Sequence, residues 1–229
     1  KVPEYGSIDP TEDRIDLGVS IKKVFGQVTG TLNLRKPFIT SLDPPLLPYL
    51  GVSIDVLRHV DCTLVLNANA SRNFRAPTFN DRYWADLGRR DLQSETSYGG
   101  ESGFLFSIRK HFTVAGKAFY QKIDQWIQWV PDENGVFRPR NIKQVAAKGA
   151  EISFEVNSNY VDGFWRLRSA YQLTKSVTTS SEVANDVSIG KQLVYTPVHT
   201  ASALGTLSFK KWALDTFVKF SGKRFTESS

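Results

Sequence analysis

The feature that most constrains this chain is a period-two alternation of apolar and polar residues that recurs along most of its length. From Cys62 to Ser71, Cys, Leu, Leu, Ala and Ala alternate with Thr, Val, Asn, Asn and Ser. Successive side chains of a β-strand point to opposite faces, whereas an amphipathic helix repeats its apolar residues at i, i+3 and i+4. No helical repeat of that kind is long enough to predict a helix. The sequence therefore predicts an all-β protein with roughly ten strands.

Strand length and the alternation of short and long connections indicate which kind of all-β fold this is. Several alternating runs extend to about ten residues or more, beyond the 5–6 residues usual in soluble sheets and near the 9–11 residues of a tilted membrane strand. The connections alternate between short and long, as in outer-membrane barrels with short periplasmic turns. We therefore expect an antiparallel transmembrane β-barrel. Short turns are predicted near residues 24–27, 58–61, 109–112, 158–163 and 208–212, and long loops at 40–48, 72–96, 131–135 and 175–190.

Aromatic residues cluster near the ends of the alternating runs, where they are typical of the two girdles of a membrane barrel. The alternative interpretation is that they form the core of a soluble β-sandwich with a ligand-binding role. The residues concerned are Trp126, Trp129, Tyr160, Phe164, Trp165, Phe209 and Trp212.

The alternation also predicts which side chains face lipid and which face the barrel lumen. Glu151 and Glu155 share one strand face, and two such carboxylates could serve a glycosidase as acid and base. Because that face is polar, a solvated lumen is the favoured interpretation. The predicted lipid-facing residues are Leu64, Leu66, Trp212, Leu214 and Val218, and the predicted lumen-facing residues include Asn67, Glu155, Arg166, Arg168 and Asp215.

The net charge of +6 raises the question of nucleic-acid binding. The positive charge lies in doublets, and each doublet falls at a predicted short turn: Lys22–Lys23, Arg58–His59, Arg109–Lys110 and Lys210–Lys211. Long basic side chains placed in this way can reach lipid headgroups at one membrane face. We therefore predict contact with outer-membrane lipid and no nucleic-acid partner.

No constellation of catalytic residues is present. One cysteine and three histidines leave no disulfide framework and no spacing for structural zinc. The sequence contains no P-loop, no G-x-G-x-x-G, no H-E-x-x-H and no G-x-S-x-G motif. We therefore predict neither an enzyme nor a cofactor, and the interpretation as a barrel enzyme of the outer membrane is disfavoured.

Three segments resemble TonB-dependent outer-membrane receptors, especially those of the vitamin B12 receptor type. Residues 71–84, SRNFRAPTFNDRYW, are similar to a strand ending in S-R-x-F-R-A-P that is followed by an N-[DE]-x-Y loop. Residues 91–96, DLQSET, resemble the L-x-P-E-x segment that leads back into the barrel, with Ser94 where the family usually has proline. The stretch from Ala118 to Glu151 resembles the hairpin F-Y-x-x-I-x-x-x-I followed by K-G-x-E.

The resemblance implies TonB-dependent uptake of a scarce nutrient complex across the outer membrane of a Gram-negative bacterium, with cobalamin or a ferric siderophore or haem as cargo. It also implies partners: the TonB complex through a plug domain not identified in this sequence, lipopolysaccharide, and a surface lipoprotein. We expect residues 1–229 to form a consecutive part of the C-terminal half of a 22-stranded barrel, without the plug and without the last strands.

Extracellular loops of this family make the first contact with cargo, so the longest predicted loop is the candidate ligand-contact loop. Arginine and exposed aromatic side chains suit a large, partly apolar, anionic solute, because stacking and charge-assisted hydrogen bonds act together. The alternative is that Tyr83 and Trp84 only pack the loop against the barrel rim. The candidate contact residues are Arg75, Tyr83, Trp84, Arg89 and Arg90.

Overall fold

The alternating runs form ten antiparallel strands that lie side by side in one sheet, in the order of the sequence. The structure is a computed structural model that describes residues 3–7, 9–109, 111–183 and 185–225. The all-β prediction and the strand number are confirmed. The strands are β1 (Arg14–Phe25), β2 (Val28–Ile39), β3 (Leu47–Arg58), β4 (Cys62–Arg75), β5 (Glu95–Ile108), β6 (Phe112–Pro131), β7 (Phe137–Tyr160), β8 (Gly163–Ser181), β9 (His199–Phe209) and β10 (Trp212–Ser221).

The alternation of short and long connections is confirmed. Short turns and long loops alternate along the described strands, so the short turns lie along one edge of the sheet and the long loops along the other. Neighbouring short turns are joined by backbone hydrogen bonds, such as Arg109 N to Asp61 O at 2.8 Å and Lys210 N to Asp162 O at 2.7 Å. Lys110, predicted to be part of a basic doublet, lies outside the described residues. The long loops are residues 40–46, 76–94, 132–136 and 182–198.

The predicted start of the last long loop, at Lys175, is wrong because β8 continues to Ser181. The segment Lys175–Ser181 is polar and rich in Ser and Thr, so its composition resembles a loop. In the structure it pairs with β7, and the following loop folds back on it: Thr178 N donates to Lys191 O, and Gly190 N donates to Thr178 O. Thr178 and Val145 are consequently almost fully buried. Tertiary contact, not local hydropathy, therefore determines the end of β8.

The register places each strand residue on one of two faces. Directly opposite residues of an antiparallel pair share a face. Leu66, Phe104, Gly116, Ile152 and Tyr171 form one continuous row across β4 to β8, and the row belongs to what is called here the apolar face. The opposite side, called here the polar face, carries the row of Asn67, Gly103, Lys117, Glu151 and Gln172. The residues predicted to face lipid, such as Leu64, lie on the apolar face. The residues predicted to face the lumen, such as Glu155, lie on the polar face.

Aromatic residues line the short-turn end of the apolar face. The rings of Tyr160 and Phe209 stack with centroids 6.3 Å apart, and Trp212 is 80% exposed. Trp165 lies on the same face, opposite Leu207 of β9. Phe164 lies on the polar face because it neighbours Trp165 along the strand, so its assignment to the same aromatic girdle is wrong.

Besides the strands, the described residues contain two short helical segments: a 3-10 turn at Pro3–Tyr5 and a helix, α1, at Phe79–Tyr83. Among the described residues, no helix is long and apolar enough to cross a membrane. β1 and β10 each pair with one neighbour, so the sheet formed by the described strands is not closed. A single sheet of this kind has no second layer, which argues against the β-sandwich alternative.

Gly149, in the middle of β7, permits close approach of its neighbours without a bulge. It lies opposite Phe119 of β6 and Thr174 of β8 in unbroken register. A Cβ atom at this position would overlap the carbonyl oxygen of Leu173 and lie 2.7 Å from Cζ of Phe119. The Phe119 ring therefore occupies the space that a side chain at Gly149 would need.

We predict that Gly149→Ala destabilises the sheet by about 1–3 kcal/mol, because overpacking displaces the Phe119 ring or the strand. The control is Gly205→Ala in β9, where an added Cβ would meet nothing within 4 Å. Heat or denaturant stability of the folded receptor in detergent is the measurement. Equal stability of the two variants would contradict the close packing at Gly149.

Candidate functional site

The long loop between β4 and β5 is built around the short helix α1. Pro77, two residues after the end of β4, cannot donate a backbone hydrogen bond and so favours the departure of the chain from the sheet. Thr78 is the N-cap of α1: its hydroxyl accepts from Asp81 N at 3.1 Å, and the Asp81 carboxylate accepts from Thr78 N at 2.9 Å. This reciprocal capping box fixes the start of the helix. It was not predicted, although the T-x-x-D spacing is visible in the sequence.

Asp81 also fastens the loop to the end of β6. Its second carboxylate oxygen accepts a hydrogen bond from Trp129 Nε1 at 2.9 Å, and the Trp129 ring packs edge-to-face against Trp84 with centroids 6.0 Å apart. Asp81 is buried. Trp129 was predicted to belong to an aromatic girdle, but here its indole supports the loop.

The segment before β1 forms a second attachment for the same loop. Tyr5 OH donates to Asn80 Oδ1 at 2.7 Å, and Ala85 N donates to Glu4 O at 2.8 Å. Arg82 is buried and pairs with Glu12 at 2.8 Å. A charge buried in this way needs a partner, so removal of Glu12 would leave the Arg82 cation uncompensated.

Arg75 lies at the foot of the loop and is engaged by Glu95. The two residues are directly opposite on β4 and β5, and Arg75 Nε donates to Glu95 Oε2 at 2.8 Å. The buried Glu95 also accepts from the backbone N–H of Ile127 at 2.8 Å. The pairing is therefore structural: it joins β4, β5 and β6 where the loop begins.

The other four candidate residues differ in how far they are available to a solute. The ring of Tyr83 contacts two guanidinium groups: its centroid is 4.9 Å from Cζ of Arg82 and 5.4 Å from Cζ of Arg90. Trp84 is 39% exposed, and Arg90 is also exposed. Arg89 pairs with Asp91, and this hydrogen bond raises the pKa of Arg89 and lowers the pKa of Asp91.

A polar cavity of about 590 Å³ lies between this loop and the long-loop ends of β6, β7 and β8. Asn141 organises one wall: its amide donates to Gln93 O at 2.9 Å and Gln125 O at 2.8 Å, and its oxygen accepts from Gln93 N. Gln125 adopts a positive φ of 58° at an irregularity in β6. Sequence reasoning missed this cavity, because its lining residues come from strands and loops that are far apart in the sequence. They include Arg89, Asp91, Gln93, Gln125, Arg140, Asn141 and Glu182.

Two other loops are held by partly buried aspartates. Asp132 accepts hydrogen bonds from Val136 N and Asn134 N and pairs with Arg138, and these interactions lower the pKa of Asp132. Burial opposes ionisation of Asp186, but hydrogen bonds from serines 181 and 188 and the charge of Lys143 outweigh it, so the pKa of Asp186 is lowered. Each of the two loops is thus held by an aspartate that forms hydrogen bonds and an ion pair.

The polar face carries ion pairs and does not present an acid–base pair. Glu155 is contacted by Arg168 at 3.0 Å and Arg166 at 3.4 Å, and Glu151 by Lys117 at 3.6 Å. These pairings disfavour the interpretation as a glycosidase. Within the part of the chain that the structure describes, no group of three or more His, Cys, Asp or Glu side chains could hold a metal ion.

The sequence from residue 15 to residue 229 matches the family model described as TonB dependent receptor-like, beta-barrel. The chain therefore belongs to this family, and its sheet is part of a TonB-dependent receptor barrel. The family consists of receptors and transporters, which agrees with the prediction that the chain is not an enzyme.

Among similar proteins is the vitamin B12 transporter BtuB of Photobacterium profundum, 25% identical over 175 residues. That match covers 75% of this chain and 27% of the transporter, so the chain spans about a quarter of the relative's length. The structure of the siderophore receptor PirA from Pseudomonas aeruginosa has a TM-score of 0.64 at 17% identity and covers 91% of this chain and 38% of PirA. The RagAB peptide transporter has a TM-score of 0.73 at 10% identity, with 91% and 33% covered. These two structural similarities support the fold alone.

We predict that Asp81→Asn loosens the loop 76–94, because an amide NH₂ group would face the Thr78 N–H or the Trp129 Nε1–H, both of which are donors. Hydrogen exchange at the backbone amides of Leu87, Gly88 and Arg89, which close the turn after α1, should become about tenfold faster or more. The matched control is Asp86→Asn in the same loop, where the side chain is exposed. Unchanged exchange in the Asp81 variant would show that the loop does not depend on this carboxylate.

Proposed function

We propose that this chain forms part of the barrel wall of a receptor that takes up a scarce nutrient complex across the outer membrane of a Gram-negative bacterium, driven by the TonB complex. The observation that carries this proposal is the sheet itself: ten strands in sequence order, with one apolar face, one polar face and all long loops at one edge. Membership of the family supports an outer-membrane location.

In this proposal the apolar face meets lipid, the polar face lines the lumen, and the long loops are extracellular. Residues 1–229 belong to the C-terminal half of the barrel, and the TonB complex acts through a plug domain elsewhere in the receptor. Lipopolysaccharide and a surface lipoprotein are proposed further partners.

Cobalamin is the preferred cargo because one relative is a vitamin B12 transporter, and a ferric siderophore or haem is the second candidate. The candidate contact surface combines the exposed Trp84 and Arg90 with the cavity lined by Arg89 and Arg140. Arg75 and Tyr83 belong to the original candidate set, and their contacts favour a supporting role. An aromatic ring beside guanidinium groups suits a large solute that has both apolar and anionic parts.

We predict that a cysteine at Asn134 is labelled by an impermeant reagent on intact cells, because the loop 132–136 is extracellular in the proposed topology. The control is a cysteine at Val161, which is fully exposed in a short turn and should be labelled only after lysis. Both variants are made in a Cys62→Ser background, since Cys62 is otherwise free. Labelling in the reverse order would refute the topology.

We predict that Trp84→Ala combined with Arg89→Ala weakens cargo binding about tenfold or more, because an aromatic contact and a charge-assisted hydrogen bond are lost together. The variant is made in the complete receptor and expressed in a receptor-deletion strain. Binding of cobalamin and growth on cobalamin are measured, and the same two measurements are made separately with ferric siderophores.

The control for this variant is Trp212→Ala with Lys210→Ala, which removes an aromatic and a basic side chain at the opposite edge of the sheet. It should leave binding unchanged. The amount of folded barrel in the membrane is measured for each variant. Loss of barrel, or unchanged affinity with normal barrel, would show that these residues are structural and that the contact surface lies elsewhere.

A further inference from the structure

Four cations lie on two adjacent rows of the apolar face, near its long-loop end. Arg72 of β4 is opposite Tyr98 of β5, which is opposite Lys122 of β6. On the adjacent row of the same face, Lys148 of β7 is directly opposite Lys175 of β8. Arg72, Lys122, Lys148 and Lys175 are called here the outer basic cluster.

Carboxylates of the protein compensate the charge of the outer basic cluster only in part. Lys122 pairs with Asp124 at 3.3 Å. Within the described part of the chain, Arg72, Lys148 and Lys175 form no ion pair with a carboxylate, and the guanidinium of Arg72 lies over the Tyr98 ring at 5.1 Å. Like charges directly opposite on neighbouring strands are destabilising, so the Lys148–Lys175 pair costs free energy unless an anion lies near it.

The height of the cluster corresponds to a membrane interface. Lys175 and Trp165 lie on the same face of β8, ten positions apart. At about 3.3 Å per residue and a tilt of about 45°, this spacing is roughly 23 Å along the membrane normal, close to the apolar band of about 25 Å in such barrels. With Trp165 at the short-turn interface, the cluster therefore lies at the opposite interface, where lipid headgroups are.

An apolar groove of about 700 Å³ begins on the rows immediately next to Lys148 and Lys175. Gly116, Ala118 and Ala150 have little or no side chain and form its floor, and larger apolar side chains form its walls. The walls include Leu66, Phe104, Ile152 and Leu173. Cations at the headgroup level suit the anionic headgroup of an amphiphile, and the apolar groove next to them suits its acyl chain.

We infer that this part of the apolar face is a binding site for a phosphorylated lipid of the surrounding leaflet, with its phosphates on the outer basic cluster and an acyl chain in the groove. This inference rests on the proposed function, because it requires the apolar face to meet lipid. The favoured ligand class is a glycolipid with several phosphate groups, of which lipopolysaccharide is an example, because several cations are grouped within two rows.

The test uses the complete receptor, purified in a neutral detergent and titrated with a bisphosphorylated glycolipid, with bound lipid counted by native mass spectrometry. Lys148→Gln with Lys175→Gln should weaken binding about tenfold or more, because each cation near an anionic surface contributes several-fold to affinity. Lys148→Arg with Lys175→Arg should retain binding. The matched control, Lys210→Gln with Lys211→Gln, removes the same charge at the opposite interface and should change affinity less than about twofold.

Two further measurements separate the parts of the inference. Ala150→Leu fills the groove floor and should weaken binding with the cations intact. The same glycolipid without its phosphates should bind weakly to the unaltered receptor. Equal binding of both lipids, or no loss in the glutamine variant, would overturn the inference. Fractionation of the unaltered protein away from the outer membrane would instead refute the proposed function.

Discussion

The structure depends on an antiparallel register that runs unbroken through the middle of ten strands. Because side chains alternate with a period of two, a slip by one residue would exchange the two faces of a strand. The irregularities lie away from the middle: one follows Asp55 near a short turn, and the others follow Ile123 and Gln144 near the long-loop edge. Between these irregularities, directly opposite residues of neighbouring strands always share a face, so the polar and apolar faces extend across the whole sheet.

The same register determines how the longest loop is held. β4, β5 and β6 end at the same edge, and there the Arg75–Glu95 pair and the Ile127 N–H form one hydrogen-bonded group. Asp81 then uses Trp129, a residue of β6, as a second support. Buried carboxylates are stable only with donors around them, so the loop geometry is a property of the strand ends as much as of the loop.

The sequence was sufficient to predict the strands, their faces and the order of short and long connections, because these are local patterns of alternation and turn chemistry. It was not sufficient where a distant segment decides the structure. The polar end of β8 resembles a loop until residues 189–192 cover it, and Asn141 becomes part of a cavity wall only because Gln93 and Gln125 are adjacent to it in space. Of the candidate contact residues, Arg75 ends β4 and the other four lie in the loop 76–94. Nothing local in the sequence distinguishes the ion-paired Arg89 from the exposed Arg90.

Positive charge is balanced differently in the middle of the polar face and at the Lys148–Lys175 pair of the apolar face. In the middle of the polar face, Lys117, Arg166 and Arg168 each have a glutamate on the same face, so charge is balanced within the protein. On the apolar face, Lys148 and Lys175 oppose each other without such a partner. Side chains that were there only for solubility would gain nothing from this arrangement, because a polar uncharged residue would avoid the repulsion. An anion supplied by the surroundings makes the two arrangements consistent, since Lys148 and Lys175 then have an external counter-charge where Lys117, Arg166 and Arg168 have an internal one.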